Sequence, residues 1–322
     1  MKSIQTLFVL ILGIMSQVSF GQFTDEINSN RPGKSMMAFA VGKKIIQTEA
    51  GVTYVSEDHS LLDYEATGFM GELAIRYGVW KEELEVIAEI QYQNDKLTSG
   101  AFEEKRNGFK QLTLGAKYLI YDPFKNYEEK PNLYSWKANH RFKWRQFIPA
   151  FSMYAGANFS VGDMPFNYGP SSLKEPSFSP KVTAIAQNHF GSQWVLVTNL
   201  TYDKIGTDFA SINYVVTLTR GFNARWSGFI ENQGYKGDYY SDGIFRIGAA
   251  FLFDKNMQVD ASIGKNIKDT PGLLNAGIGF SWRFADQYKE VKIPKPGTES
   301  KTDKKMKQKG EKEAKKRKDA VE

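Results

Sequence analysis

The chain has 322 residues, 28 Gly, 16 Tyr, 23 Phe and no Cys, with a formal net charge of +6. The missing cysteines exclude disulfides, thiolate metal sites, cysteine nucleophiles and lipid attachment through cysteine. The negative mean hydropathy argues against a bundle of membrane helices. The charge itself is local: residues 285–322 hold 13 Lys/Arg against 8 Asp/Glu, Lys2 adds one cation, and 28 of each sign remain in the body.

The N-terminus reads as an export signal. Lys2 supplies the positive start, Leu7 to Met15 is an almost unbroken apolar run, and Ser19-Phe20-Gly21 places small residues at both cleavage-determining positions. Residues 1–21 are therefore expected to be a signal peptide cut before Gln22. No later segment approaches the roughly 18 apolar residues of a spanning helix. An exported chain of this kind is either soluble or a β-barrel, and nucleic acid is excluded as a partner by export.

Residues 22–44 precede the first periodic segment and are expected to form a periplasmic N-terminal segment folding into the mouth of a barrel, with Arg31 as a lumen or plug contact. From Ile45 to Phe284 the pattern alternates with period two, the mark of strands with two different faces. The first strand sets Ile46, Thr48, Ala50, Val52 and Tyr54 against Gln47, Glu49, Gly51 and Thr53. The second to fourth repeat this around Phe69–Tyr77, Leu84–Tyr92 and Leu112–Tyr118. The fifth is expected near Phe147–Val161 and the sixth near Lys181–His189. The seventh to eleventh fall near Trp194–Tyr202, Ile212–Arg220, Ala224–Asn232, Ile244–Phe253 and Met257–Gly264. The twelfth is the clearest: Leu274, Ala276, Ile278, Phe280, Trp282 and Phe284 share one face, and Asn275, Gly277, Gly279, Ser281 and Arg283 the other. A membrane barrel turns the apolar face to lipid and keeps small and polar residues inside. The expected fold is all-β: an antiparallel transmembrane barrel of about 12 strands over residues 45–284, in contact with outer-membrane lipid.

The links support that topology. Short ones (Gly78–Glu83, Phe190–Gln193, Gly221–Asn223, Asp254–Asn256) alternate with long ones (Ser56–Thr67, Gln93–Gly108, Gly162–Ser179, Asp203–Ser211, Gly234–Asp242, Lys265–Leu273), as periplasmic turns alternate with external loops. This puts both chain ends in the periplasm. One link departs from the rule: Asp122–Gln146 is long and basic yet falls on the turn side, which suits either a short amphipathic helix or a different strand count. Aromatics such as Tyr54, Tyr77, Trp80, Tyr92, Trp194, Tyr202, Trp226 and Trp282 sit near strand ends, as interfacial girdles require. After Phe284 the composition turns to Lys, Glu, Thr and Ser. Residues 285–322 are expected to be a disordered, charged periplasmic tail, serving as a solubilising extension or contacting peptidoglycan or a periplasmic protein.

The strand phase places six acids and six bases in the lumen: Glu49, Glu72, Glu85, Glu89, Glu231 and Asp260 with Arg76, Lys117, Lys181, Arg225, Arg246 and Arg283. Balanced signs suit an ion-pair lattice that partly fills the lumen, or a channel with weak charge selectivity. Catalysis has little support. The three histidines, His59, His140 and His189, are scattered, and no HExxH, Walker A or dinucleotide pattern occurs. No enzyme activity, metal or cofactor is expected.

Several local patterns occur in a fixed order. Asn30-Arg31-Pro32 stands after the signal segment; Gly42, Gln47, Glu49, Gly51 and Tyr54 follow with regular spacing; then come Arg76-Tyr77-Gly78, Gly115-Ala116-Lys117-Tyr118, and Gln258 to Gly264. Together, over residues 30–284, they resemble the bacterial outer-membrane barrel transporters of the MetA-pathway of phenol degradation family, in the style of Bacteroidetes members. The resemblance implies passage of small solutes, aromatic or hydrophobic ones among them, through an outer-membrane channel built by the barrel assembly machinery. The alternative function is a structural barrel with a packed lumen whose basic tail binds a partner. Two departures from the family pattern stand out. Its first motif carries Asp where this chain has Asn30, and Phe284 is followed by a tail instead of ending the chain.

Overall fold

The computed structural model describes residues 27–123, 125, 134, 144–161, 166, 175–191 and 193–284. The expected signal peptide and tail (residues 1–21 and 285–322), His140 and most of the basic 122–146 link lie outside the described residues. The rest is a closed antiparallel barrel of twelve strands, each paired with its sequence neighbour. The strands are β1 (Ile46–His59), β2 (Tyr64–Gly78), β3 (Leu84–Ser99), β4 (Phe102–Tyr121), β5 (Ala150–Phe159), β6 (Phe178–Phe190), β7 (Trp194–Asp203), β8 (Ser211–Gly221), β9 (Trp226–Gly237), β10 (Ser241–Asp254), β11 (Met257–Asn266) and β12 (Gly272–Phe284). β1 closes the ring on β12, from Ile46 opposite Phe284 to Asp58 opposite Gly272. Closure removes both sheet edges, so every backbone donor in lipid is paired.

Alternation holds around the ring. On β12, Leu274, Ala276, Ile278, Phe280, Trp282 and Phe284 face out, while Ser281 and Arg283 are buried inside. Among the outward residues, Ile278 is 67% exposed and Val52 51%, surfaces that only lipid can cover favourably. A charge there is costly. Ile278→Arg should lower the unfolding free energy by about 2–4 kcal/mol in vesicles, measured by urea titration. The same change at the inward Asn275 should cost far less.

Aromatic pairs mark the two ends of the lipid belt. At the end away from Ile46 and Phe284, Tyr54 meets Phe69 (5.6 Å), Tyr92 meets Phe109 (5.4 Å) and Phe159 meets Phe178 (5.8 Å). At the short-turn end, Phe147 meets Phe190 (5.3 Å), Trp226 meets Phe251 (4.8 Å) and Arg220 lies 5.0 Å over Trp194.

Three expectations need correction. The segments expected as external loops at 56–67, 93–108 and 234–242 are largely paired strand. β3 and β4, for instance, run together until Ser99 meets Phe102, around a positive-φ Gly100. Beyond the lipid belt a strand needs no apolar face, so its pattern vanishes while its hydrogen bonds continue. The fifth strand is shorter than expected, because Trp144–Phe147 forms a 3-10 turn ahead of it. The ninth begins at Trp226 and not at Ala224, because Asn223 Oδ1 accepts from both the Arg225 and Trp226 amides (each 2.8 Å) and holds a turn there.

Residues 27–45 belong to no strand. The Ile27 amide donates to Lys255 O (2.8 Å) at a short turn, and the Lys44 amide donates to Gly78 O (2.8 Å) at another. Between these anchors the chain rises inside the barrel and descends again, forming a plug in its short-turn half.

Candidate functional site

The plug has no strand partner, so its backbone must be satisfied by lumen side chains. Asn199 on β7 clamps Met36 from both sides, accepting from its amide (2.8 Å) and donating to its carbonyl (2.9 Å). Gln187 on β6 accepts from the Ala38 amide (2.9 Å), and Ser152 on β5 donates to Ala38 O (2.7 Å). Gln258 on β11 donates to Arg31 O (3.1 Å). The Ser29 and Ser281 hydroxyls share a hydrogen bond of 2.8 Å. The charged-residue reading passed over these groups. Their only signal in the sequence is a polar, uncharged side chain at an inward strand position.

Charges complete the grip in two tiers. At the short-turn end, Arg76 is fully buried. It forms ion pairs with Glu85 (3.0 Å) and Glu49 (3.1 Å) and donates to Asn28 O (2.7 Å). Lys117, also fully buried, pairs with Glu85 (2.7 Å) and donates to the plug carbonyls of Met37 (2.5 Å) and Phe39 (3.0 Å). Glu85 in turn accepts from the Val41 amide (2.8 Å). Each buried charge therefore meets an opposite charge and a plug backbone group, which buried ions require.

The second tier is at mid-height. Arg31 reaches Glu72 on β2 (3.0 Å) and Asp260 on β11 (3.2 Å). Its guanidinium lies directly over Gly51 and Gly279, which face each other across the β1–β12 seam. A Cβ at either glycine would overlap it. Lys34 pairs with Glu72, while its amide donates to Glu231 (2.9 Å), which also pairs with Arg246. Asn30 does not pair with Arg31. Its Oδ1 accepts from the Met37 amide (2.9 Å) and closes the plug's own bend. Pro32 sits between the two cations and lines the cleft beyond them.

Of the twelve expected lumen residues, Glu49, Glu72, Arg76, Glu85, Lys117, Glu231, Arg246 and Asp260 meet in these two tiers. Arg283 is buried at the turn end of β12, opposite Gln47. Glu89 and Lys181 occupy inward positions on β3 and β6, half-buried and apart from the lattice. Arg225 is not a lumen residue: it is exposed in the turn before β9, because that strand starts one residue later.

On the loop side of the plug, Arg31, Pro32, Lys34, Thr53, Met70, Glu72, Arg246, Ser262, Asn275 and Gly277 surround a small cleft of about 30 Å³. Further toward the loops, Asp95 holds Arg106 through two bonds (2.8 and 2.9 Å), and Lys110 donates to Gln93 (3.1 Å) while remaining exposed. Neither described histidine joins an acid–base pair with a nucleophile. His59 Nδ1 accepts from the Leu62 amide (3.1 Å), and His189 meets Gln187 (2.9 Å) and the ring of Phe39. Among the described residues no group of three or more His, Asp or Glu side chains is placed to hold a metal ion.

A closed antiparallel ring with a lipid-facing apolar belt, aromatic girdles and an ion-paired interior defines an outer-membrane β-barrel. The chain belongs to the family described as "Putative MetA-pathway of phenol degradation", which matches residues 29–284. No curated protein matches the sequence. Among solved structures, it is similar to the COG4313 outer membrane channel from Pseudomonas putida F1, with a TM-score of 0.54 and 13% identity, covering 80% of this chain and 100% of that one. It also matches the translocator domain of the autotransporter NalP from Neisseria meningitidis (TM-score 0.46, 12% identity, 74% and 88% covered). A third match is the P. putida toluene transporter TodX (TM-score 0.40, 11% identity, 76% and 90% covered).

Proposed function

We propose that this protein is a passive outer-membrane channel for small solutes, aromatic and hydrophobic molecules among them, with residues 27–45 closing its periplasmic half. The observation that carries this reading is how the plug is held. Apart from its two ends, it is gripped by side chains and by no strand ladder, so it can leave without breaking the barrel. Each neutral side-chain bond to its backbone contributes about 0.5–1.5 kcal/mol net, which a competing solute or water can replace. Membership of the phenol-degradation family supports the same reading. Hairpins β1–β2, β3–β4 and β9–β10, which run on past the lipid belt away from the chain ends as external hairpins do, support a periplasmic placement of those ends.

The test is single-channel recording on the refolded chain in planar bilayers, beside a variant lacking residues 27–41. The expected result is small or intermittent conductance for the full chain and large, steady steps for the variant. Silence from both, with folding verified by heat-modifiable gel mobility, would favour the rival reading. That rival is a structural barrel whose tail binds peptidoglycan or a periplasmic protein, and the extent of the plug's bonding is the observation in its favour.

A further inference from the structure

On the outside of the barrel, one row of residues crosses the short-turn rim from β7 to β10. Trp194, Arg220, Gly228 and Ala249 stand opposite one another in that order. Arg220 is exposed, and among the described strand residues it is the only lysine or arginine that faces outward at this end. A charge on the lipid face is costly at mid-membrane and tolerated where its head reaches the interface. This row lies at that height, because it is part of the aromatic girdle.

The arginine is also held in place. On its β7 side the guanidinium carbon lies 5.0 Å from the Trp194 ring centre. On its β9 side the opposite residue is Gly228, and the Phe222 ring folds back over that glycine. A Cβ there would come within 2.9 Å of the ring. From this seat Phe222 stands 5.8 Å from the same guanidinium. Its backbone is fixed, since the Phe222 amide donates to Trp226 O (2.9 Å) and the Gly221 amide to Gln193 O (2.8 Å). Stacked rings hold a guanidinium in one plane and leave its N–H edge free to donate. Among the described residues no carboxylate pairs with that edge.

We infer that the Trp194–Arg220–Phe222 slot binds the phosphate of an anionic phospholipid in the leaflet at the short-turn end. A planar fork of donors matches two phosphate oxygens at once. Position commits the partner to a lipid. The next outward row toward mid-membrane is Leu196, Leu218 and Ile230, against which acyl chains lie while the headgroup meets Arg220. The site is outside the barrel and independent of what the lumen carries.

The test is native mass spectrometry of the full chain, refolded in mild detergent, with phosphatidylglycerol or phosphatidylcholine of identical acyl chains. One phosphatidylglycerol should be retained about tenfold more tightly than phosphatidylcholine, whose own cation competes for the phosphate. Arg220→Gln should abolish the preference. Arg220→Lys should lose most of it, because an ammonium keeps the charge but neither stacks nor forks. Gly228→Ala should weaken retention with every charge in place, by pushing Phe222 out of its seat. Excess inorganic phosphate should leave the lipid bound, since it brings no acyl chains. Should Arg220→Gln fail to refold, judged by heat-modifiable gel mobility, Gly228→Ala and Phe222→Leu decide in its stead. Equal retention of the two lipids, or a preference that survives these substitutions, overturns the slot. Release by inorganic phosphate overturns the lipid as its occupant.

Discussion

Arg76→Ala should cost about 3–5 kcal/mol of unfolding free energy, the largest loss expected from any single lumen substitution. The guanidinium is fully buried and holds two carboxylates, Glu49 and Glu85, together with the carbonyls of Asn28 and Phe39 (3.4 Å). Removing it leaves Glu49 with only Gln47 (2.7 Å) and the Asn30 amide (3.3 Å) as partners, and leaves Glu85 with Lys117 and the Val41 amide. The cost arises from the negative charge left behind, not from lost packing. Hence a triple variant, Arg76→Met with Glu49→Gln and Glu85→Gln, should recover most of the loss. Urea titration in vesicles, followed by tryptophan emission, reads both. A loss under about 1 kcal/mol for Arg76→Ala would mean that water reaches the lattice and screens it.

Opening the mid-height latch should change conduction more than stability. Arg31→Ala removes two charge-assisted bonds, to Glu72 and Asp260, each contributing about 1.5–3 kcal/mol. Each 1.4 kcal/mol is a factor of ten in an equilibrium, so the open-to-closed ratio should rise roughly a hundred- to ten-thousandfold in single-channel records. Gly279→Ala tests the same latch without touching a charge. Its new Cβ occupies the guanidinium's seat, so it should reproduce the Arg31→Ala phenotype. Gly71→Ala is the control: a Cβ there faces outward and meets nothing nearer than 3.9 Å. If Gly279→Ala gates like the parent, Arg31 is not seated on the glycine pair when the channel is closed.

How much of this the residue pattern reveals differs by element. β12 is legible in full, because its two faces meet lipid and lumen along its whole length and the alternation is unbroken from Leu274 to Phe284. β3 is legible only to Tyr92. Above that level the outer face no longer meets lipid and the inner face is polar, so Gln93, Asp95 and Arg106 read as loop although they are paired strand. The inward phase of Glu85 and Lys117 follows from alternation, and so does their proximity, since they sit opposite each other on adjacent strands. That Glu72 and Asp260 share one arginine does not follow, because they stand on strands separated by β1 and β12.

What the sequence alone determined, then, is the ring: strand number and the facing of most strands. These follow from period-two patterning imposed locally by two solvents, lipid and water. That an N-terminal segment enters the mouth with Arg31 as a contact is expected from the sequence; only the tertiary structure decided how deep it runs and which side chains hold it. Residues 27–45 carry no periodicity, because their backbone bonds go to side chains as distant as Asn199 and Gln258. The curvature that brings those side chains to one axis exists only once β1 has closed on β12.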